Sequence, residues 1–112
     1  MKIAVIGSRT LIIDNIDRYI PENTDELVSG GAKGIDACVK SYADLKNIPV
    51  TEFKPDYKKY GRYAPLKRNI DIINYSDLVI AIWDGKSRGT LHVIENCGLK
   101  NKKLILYIIN HA

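Results

Sequence analysis

Three stretches of the chain pair glycine with a cation or a hydroxyl: Gly7-Ser8-Arg9, Gly30-Gly31-Ala32-Lys33-Gly34 and Asp84-Gly85-Lys86-Ser87-Arg88-Gly89-Thr90. Glycine lets the backbone approach a ligand closely. A stretch of this kind ahead of a helix presents unpaired N–H groups and the positive end of a helix dipole, which is the chemistry that holds a phosphate. One dipole contributes about 0.3–1 kcal/mol at an exposed site, and one hydrogen bond to a charged group about 1.5–3 kcal/mol. Useful affinity therefore needs several loops and a cation acting together. Each stretch also has an ordinary reading. Gly30-Gly31-x-x-Gly34 is neither a Walker A loop nor a full dinucleotide fingerprint, and it equally makes a tight strand-to-helix turn. Ser87 or Thr90 equally serves as a helix N-cap.

Further candidates lie nearby. Arg68-Asn69 falls in the first turns of an expected helix, and arginine can grip phosphate bidentately; the alternative is a solvated helix face. Just before it, Lys54, Lys58, Lys59, Arg62, Lys67 and Arg68 are opposed only by Asp56, with Tyr57, Tyr60 and Tyr63 interleaved. This segment is either solvated surface, a lid whose tyrosines stack a base, or a nucleic-acid contact. Asp36 and Asp84 either bind ribose hydroxyls or cap a helix or turn. His92, two residues after Thr90, joins Arg68 and Asp84 as a candidate catalytic group. Trp83 ends an apolar strand as core or pocket wall, and His111 carries no signal. Cys38 and Cys97 are too few for a metal site or a disulfide framework; both are read as small buried hydrophobes, and no metal is expected.

The elements that must position these residues alternate. Ile3–Ile6 is an apolar run ending at Gly7. Ile12, Ile13, Ile16, Tyr19 and Ile20 recur at helical spacing up to Pro21, which predicts a first helix. Leu27-Val28-Ser29 is a short strand, and Ile35, Cys38, Val39, Tyr42 and Ala43 mark a strongly amphipathic helix ending near Asn47. Val50–Phe53 is a third strand, followed by a polar loop over residues 54–64. Pro65 suits a first helical turn, and Leu66, Ile70 and Ile73 continue that helix. Leu78–Ile82 is apolar throughout, as a central parallel strand covered on both faces would be. Leu91, Ile94 and Gly98 mark the last helix and Leu104–Ile109 the last strand. The pattern predicts an α/β, three-layer Rossmann-like fold with a five-stranded parallel sheet of order 3-2-1-4-5. In that order the chain reverses direction between the first and fourth strands, and ligands bind beyond the C-terminal strand ends at such a switch point.

With 112 residues, 46% hydrophobic and 27% charged, the chain reads as one soluble globular domain over residues 1–112. No apolar run approaches the ~20 residues that span a bilayer, so no membrane contact is expected. The apolar N-terminus is too short for a signal segment and reads as the first strand, which makes the protein cytoplasmic. A net charge of +4 suits a phosphate-bearing ligand, and weak nucleic-acid contact as well.

Together, Lys2-Ile3-Ala4-Val5-Ile6-Gly7-Ser8-Arg9, Ser29-Gly30-Gly31-Ala32-Lys33-Gly34-Ile35-Asp36, Arg68-Asn69 and Ala81-Ile82-Trp83-Asp84-Gly85-Lys86-Ser87-Arg88-Gly89-Thr90-Leu91-His92 resemble the small SLOG-superfamily proteins of the YspA/YpsA-related type. Their relatives include the Smf/DprA DNA-processing proteins and the Lonely Guy phosphoribohydrolases. The resemblance implies a Rossmann-like fold, a nucleotide or nucleotide-derivative site at these loops, and a homodimer. Gly89-Thr90 looks like the Gly-Thr of the phosphoribohydrolase motif Pro-Gly-Gly-x-Gly-Thr-x-x-Glu, and Arg68 resembles the arginine that works with its glutamate. The position of that glutamate is Val93. Glu95, the nearest carboxylate, lies two residues further, about 200° around a helix, and should face away. Cleavage of a glycosidic bond normally relies on a carboxylate. A hydrolase would need Asp84, Asp36 or His92 in its place. No added DNA-binding domain is seen, so a DNA-processing role is not expected to carry over.

The sequence therefore predicts binding or sensing of a small-molecule nucleotide or nucleotide-derived phosphate ligand, with no certain cofactor. The ligand-binding set is Gly7, Ser8, Arg9, Gly30, Gly31, Lys33, Gly34, Asp36, Arg68, Asn69, Asp84, Gly85, Ser87, Gly89 and Thr90. The alternatives are a nucleotide-processing N-glycoside hydrolase and a nucleic-acid-binding protein that uses the segment from Lys54 to Arg68.

Overall fold

The structure, a computed structural model, describes residues 1–31 and 33–109; His111 and Ala32 lie outside the described residues. Five strands, β1 (Lys2–Gly7), β2 (Glu26–Ser29), β3 (Val50–Glu52), β4 (Leu78–Trp83) and β5 (Leu104–Ile108), form one parallel sheet of order β3-β2-β1-β4-β5. β1 and β4 are central, in register from Ile3↔Leu78 to Gly7↔Ile82. All strands point the same way, so every C-terminal strand end lies on one rim.

Alternation along each strand divides the core in two, because successive side chains leave opposite faces of a sheet. Ile3, Val5, Leu27, Ile80 and Ile82 pack with Ile35, Val39 and Ala43 of α1 (Ile35–Lys46) on one face. Ala4, Ile6, Val28 and Val79 pack on the other with Ile72 and Ile73 of α3 (Ala64–Tyr75) and Val93 and Cys97 of α4 (Arg88–Leu99). Full burial of such side chains stabilises the fold by about 1.5–3 kcal/mol each. α1 ends at Asn47, in the left-handed conformation that closes helices. Pro65 occupies the first turn of α3.

The first helix predicted from Ile12 to Ile20 does not form; a single 3-10 turn, Ile16–Tyr19, replaces it. Three β-branched residues within Ile12–Ile16 disfavour a helix, and Asp14, Asn15 and Asp17 favour turns. The segment still covers the sheet by burying Leu11, Ile16 and Ile20. The loop expected over 54–64 is also corrected. It holds a one-turn helix, α2 (Tyr57–Tyr60), whose N-cap Asp56 accepts from Lys59 N, and a 3-10 turn, Gly61–Tyr63. Cys97 is buried as expected, whereas Cys38 is half-buried at the edge of the core. No helix among the described residues is long and apolar enough to cross a membrane.

The entry to α1 is a tight joint against backbone. Gly34 has φ +68°, and a Cβ there would sit 2.6 Å from Ser8 O and 2.5 Å from Arg9 O. Gly34→Ala should destabilise the protein by about 2–4 kcal/mol, combining a left-handed backbone penalty with overpacking. Urea unfolding checks this, and an unchanged midpoint would show that the joint is not tight.

Candidate functional site

The rim is organised by Ser8, which is fully buried. Its N–H donates to Ile82 O (3.1 Å), its carbonyl accepts from Leu11 N (3.2 Å) and Ile35 N (3.5 Å), and its hydroxyl accepts from Asp84 N (3.0 Å). The ends of β1 and β4 and the start of α1 are thereby joined through one residue. Gly7 permits the same closeness: a Cβ there would overlap the Ile35 side chain at 2.3 Å.

Asp84 organises the next loop. Its Oδ1 accepts from Lys86 N and Ser87 N, both at 2.8 Å, and its Oδ2 accepts from Thr10 Oγ1 at 3.0 Å. Gly85 makes the intervening turn at φ +82°. These donors, chiefly the Ser87 and Lys86 amides, hold the Asp84 carboxyl down at about 2. The turn delivers the chain into α4, with Ser87 at the N-cap position and Gly89 and Thr90 in the first turn, where backbone N–H groups have no partner within the helix. A Cβ on Gly89 would meet only open space.

Arg68 comes from the opposite wall. Its Nη1 donates to Gly30 O (3.0 Å) and Phe53 O (3.4 Å), and its Nε donates to Asn69 Oδ1 (3.0 Å). Gly30 makes room for it, since a Cβ there would lie 2.7 Å from Nη1 and 3.3 Å from Asp36 Oδ2. Burial lowers the Arg68 pKa from its ordinary value, Asp36 opposes that shift, and nearby Arg9 reinforces it. Asn69 passes the order onward. With its carbonyl oxygen committed to Arg68, its amide nitrogen faces His92 Nδ1 at 3.3 Å. An amide nitrogen only donates, so Nδ1 is the acceptor and the imidazole proton sits on Nε2. Burial lowers the His92 pKa, partly offset by Glu95, which favours the same neutral form.

These groups border a cleft of about 230 Å³, to which Gly7, Arg9, Gly30, Asp36, Arg68, Asn69, Ser87, Gly89 and Thr90 contribute directly. The other anticipated residues do not line it. Ser8 and Asp84 hold its frame. Gly31, at φ +69°, turns beside Glu52, Lys33 is exposed, Gly34 packs on the β1 loop, and Gly85 is in the turn behind Ser87. Val93 is fully buried and Glu95 exposed, so α4 presents no carboxylate at the phosphoribohydrolase position. Trp83 is half-buried, with its Nε1 donating to Ser87 O at 3.0 Å. Tyr57 and Tyr63 are exposed on the α2 segment.

Sequence reasoning missed the apolar wall of Ile6, Pro65, Leu66 and Ile72 and the Phe53 carbonyl. In the sequence Ile6, Pro65 and Leu66 mark only a strand and a helix, Ile72 stands out in no pattern, and a carbonyl leaves no mark on residue type. A larger depression of about 600 Å³ lies between the Ile12–Asp17 segment and α1. Its lining is mainly apolar and no arginine converges on it, so the smaller cleft is the candidate site.

Residues 1–60, more than half of the chain, match the family model described as YAcAr: YspA, cpYpsA-related SLOG family. No curated protein and no solved structure matches.

Asp84 offers a test of the loop. Its carboxyl is depressed in the folded state, so its stabilising effect is present above its ordinary value of 3.8 and fades as pH falls toward about 2. Asp84→Ala should lower stability at neutral pH by about 1 kcal/mol, as loss of a cap does. The difference from wild type should shrink across that acid window in denaturant titrations. A pH-independent difference would contradict the assignment.

Proposed function

The chain belongs to the YspA, cpYpsA-related SLOG family, and from that premise we propose that it is a single domain that binds or senses a nucleotide or nucleotide-derived phosphate ligand in the Arg68 cleft. One observation carries the reading: Arg68 and Arg9 line one cleft that also receives the start of α4. One carboxylate, Asp36, opposes the two guanidinium groups. That surplus of positive character suits an anion.

In this reading the phosphate sits against the Gly89 and Thr90 amides and is met by Arg68 through Nη2, the nitrogen not used in the bonds to Gly30, Phe53 and Asn69. Asp36 receives ribose hydroxyls. The cleft is slightly smaller than the ~300 Å³ at the lower end of ordinary ligand pockets, so it takes the phosphate and sugar, with the base lying over Pro65 and Leu66. A cytoplasmic setting and self-association as a homodimer belong to the same reading.

A second reading, a nucleotide N-glycoside hydrolase, draws on the placement of Asp36 in the same cleft as Arg68. Asp36 lines the cleft, whereas Asp84 accepts from the amides of its own turn. Chromatographic assay for base release from nucleoside monophosphates separates the two readings.

Arg68→Ala should weaken nucleoside-monophosphate binding by roughly ten- to a hundred-fold, the loss of a charge-assisted hydrogen bond. Arg68→Lys should weaken it also, because lysine lacks the fork geometry. Isothermal titration, with circular dichroism as a folding control, checks both. An unchanged dissociation constant would remove Arg68 from the site.

A further inference from the structure

The two edges of the sheet are unlike. β3, at one edge, is three residues long, carries Thr51 and Glu52, and is flanked by Pro49, Lys54 and Pro55. Short, polar, proline-flanked strands are how proteins blunt an edge against further pairing. β5, at the other edge, reads Leu-Ile-Leu-Tyr-Ile, with no charge within it. An apolar run of that kind belongs to a strand covered on both faces, yet Leu106 and Ile108 are 39% and 56% exposed.

The backbone of β5 is also open. Lys103 O accepts from Val79 N and Ile109 N donates to Trp83 O. Residues alternate in direction along a strand, so Leu104, Leu106 and Ile108 turn their N–H and C=O groups to the outside. The same three side chains share the sheet face that α4 covers, since Leu104 packs with Val93 and Cys97.

α4 repeats the mismatch. Its apolar stripe of Leu91, Ile94 and Gly98 is not the face it buries; Thr90, Val93 and Cys97 are. His92, joined to Asn69, marks the flank toward α3. By helical spacing, Leu91, Ile94 and Gly98 lie on the other flank, above β5. Gly98 is exposed, and a Cβ there would touch nothing.

We propose that a second copy of this chain covers this edge, with β5 pairing antiparallel to β5 of the other copy about a two-fold axis and the Leu91–Ile94–Gly98 flanks of the two α4 helices meeting on one face. Self-pairing satisfies both rows of outward main-chain groups at once, as an isologous interface requires, and Gly98 allows the helices close approach. Charge selects the antiparallel sense. Lys100, Lys102 and Lys103 gather at one end of β5; antiparallel pairing sends the two clusters to opposite ends of the interface, whereas parallel pairing would superpose them. This gives a surface to the homodimer of the preceding reading and is independent of the cleft.

Sedimentation velocity on the full chain tests it. Wild type should sediment at twice its 12.6 kDa chain mass. Leu106→Lys and Gly98→Glu should each raise the dimer dissociation constant roughly ten-fold or more, the effect of a charge placed in a packed interface, with unchanged circular dichroism. Leu45→Lys, on exposed α1 residue 45 beside the larger depression, should change nothing. Should Gly98→Glu misfold, Leu106→Lys decides alone, because its side chain is already partly in solvent. A monomeric wild type would overturn both the dimer and this surface. A dimer indifferent to Leu106→Lys, or one dissociated by Leu45→Lys instead, would overturn the surface alone.

Discussion

The arrangement of the rim depends on a buried serine that uses its N–H, its carbonyl and its hydroxyl together. Ser8 binds Ile82 O, Leu11 N, Ile35 N and Asp84 N, so three segments distant in sequence cannot drift apart without stranding polar groups away from water. Such stranding costs about 1–3 kcal/mol for each group. Gly7 and Gly34 belong to the same constraint, because each allows a backbone approach that a Cβ would block. Residues that look like ligand contacts by type therefore serve as the frame, and the open groups of the cleft are those the frame presents.

The cleft owes its character to how its arginine is held. Carbonyl oxygens and an amide fix the Arg68 guanidinium while leaving its charge largely in place, and Arg9 adds to the field. Asn69 links this cation to His92, so the two walls of the cleft are set by one chain of hydrogen bonds. The nucleotide reading follows from positive character that has been positioned and incompletely cancelled.

Apolar surface is distributed with the same economy. Both faces of β1 and β4 are fully covered, whereas β5 and one flank of α4 carry the composition of covered elements in an exposed place. The β3 edge shows that this chain can protect an edge with polar residues and prolines. The contrast between the two edges, rather than exposure alone, gives the β5 side its meaning as an interface.

The sequence alone determined the order of elements, the sheet topology and the convergence of the loops, because apolar periodicity and glycine punctuation are local signals that the parallel fold then translates into one rim. The C-terminal end of α1 and the start of α3 were legible in Asn47 and Pro65 for the same reason. Tertiary structure decided what local signals do not encode. Isoleucines at helical spacing over 12–20 gave a turn, because Ile16 and Ile20 could be buried without a helix while Ile12 stays exposed. Ser8, Gly34 and Asp84 became frame rather than lining, because that depends on which neighbours crowd them. The stripe on α4 turned away from the core, because Thr90, Val93 and Cys97 fit the sheet. Residue types record what a side chain can do; only packing fixes which backbone groups it meets.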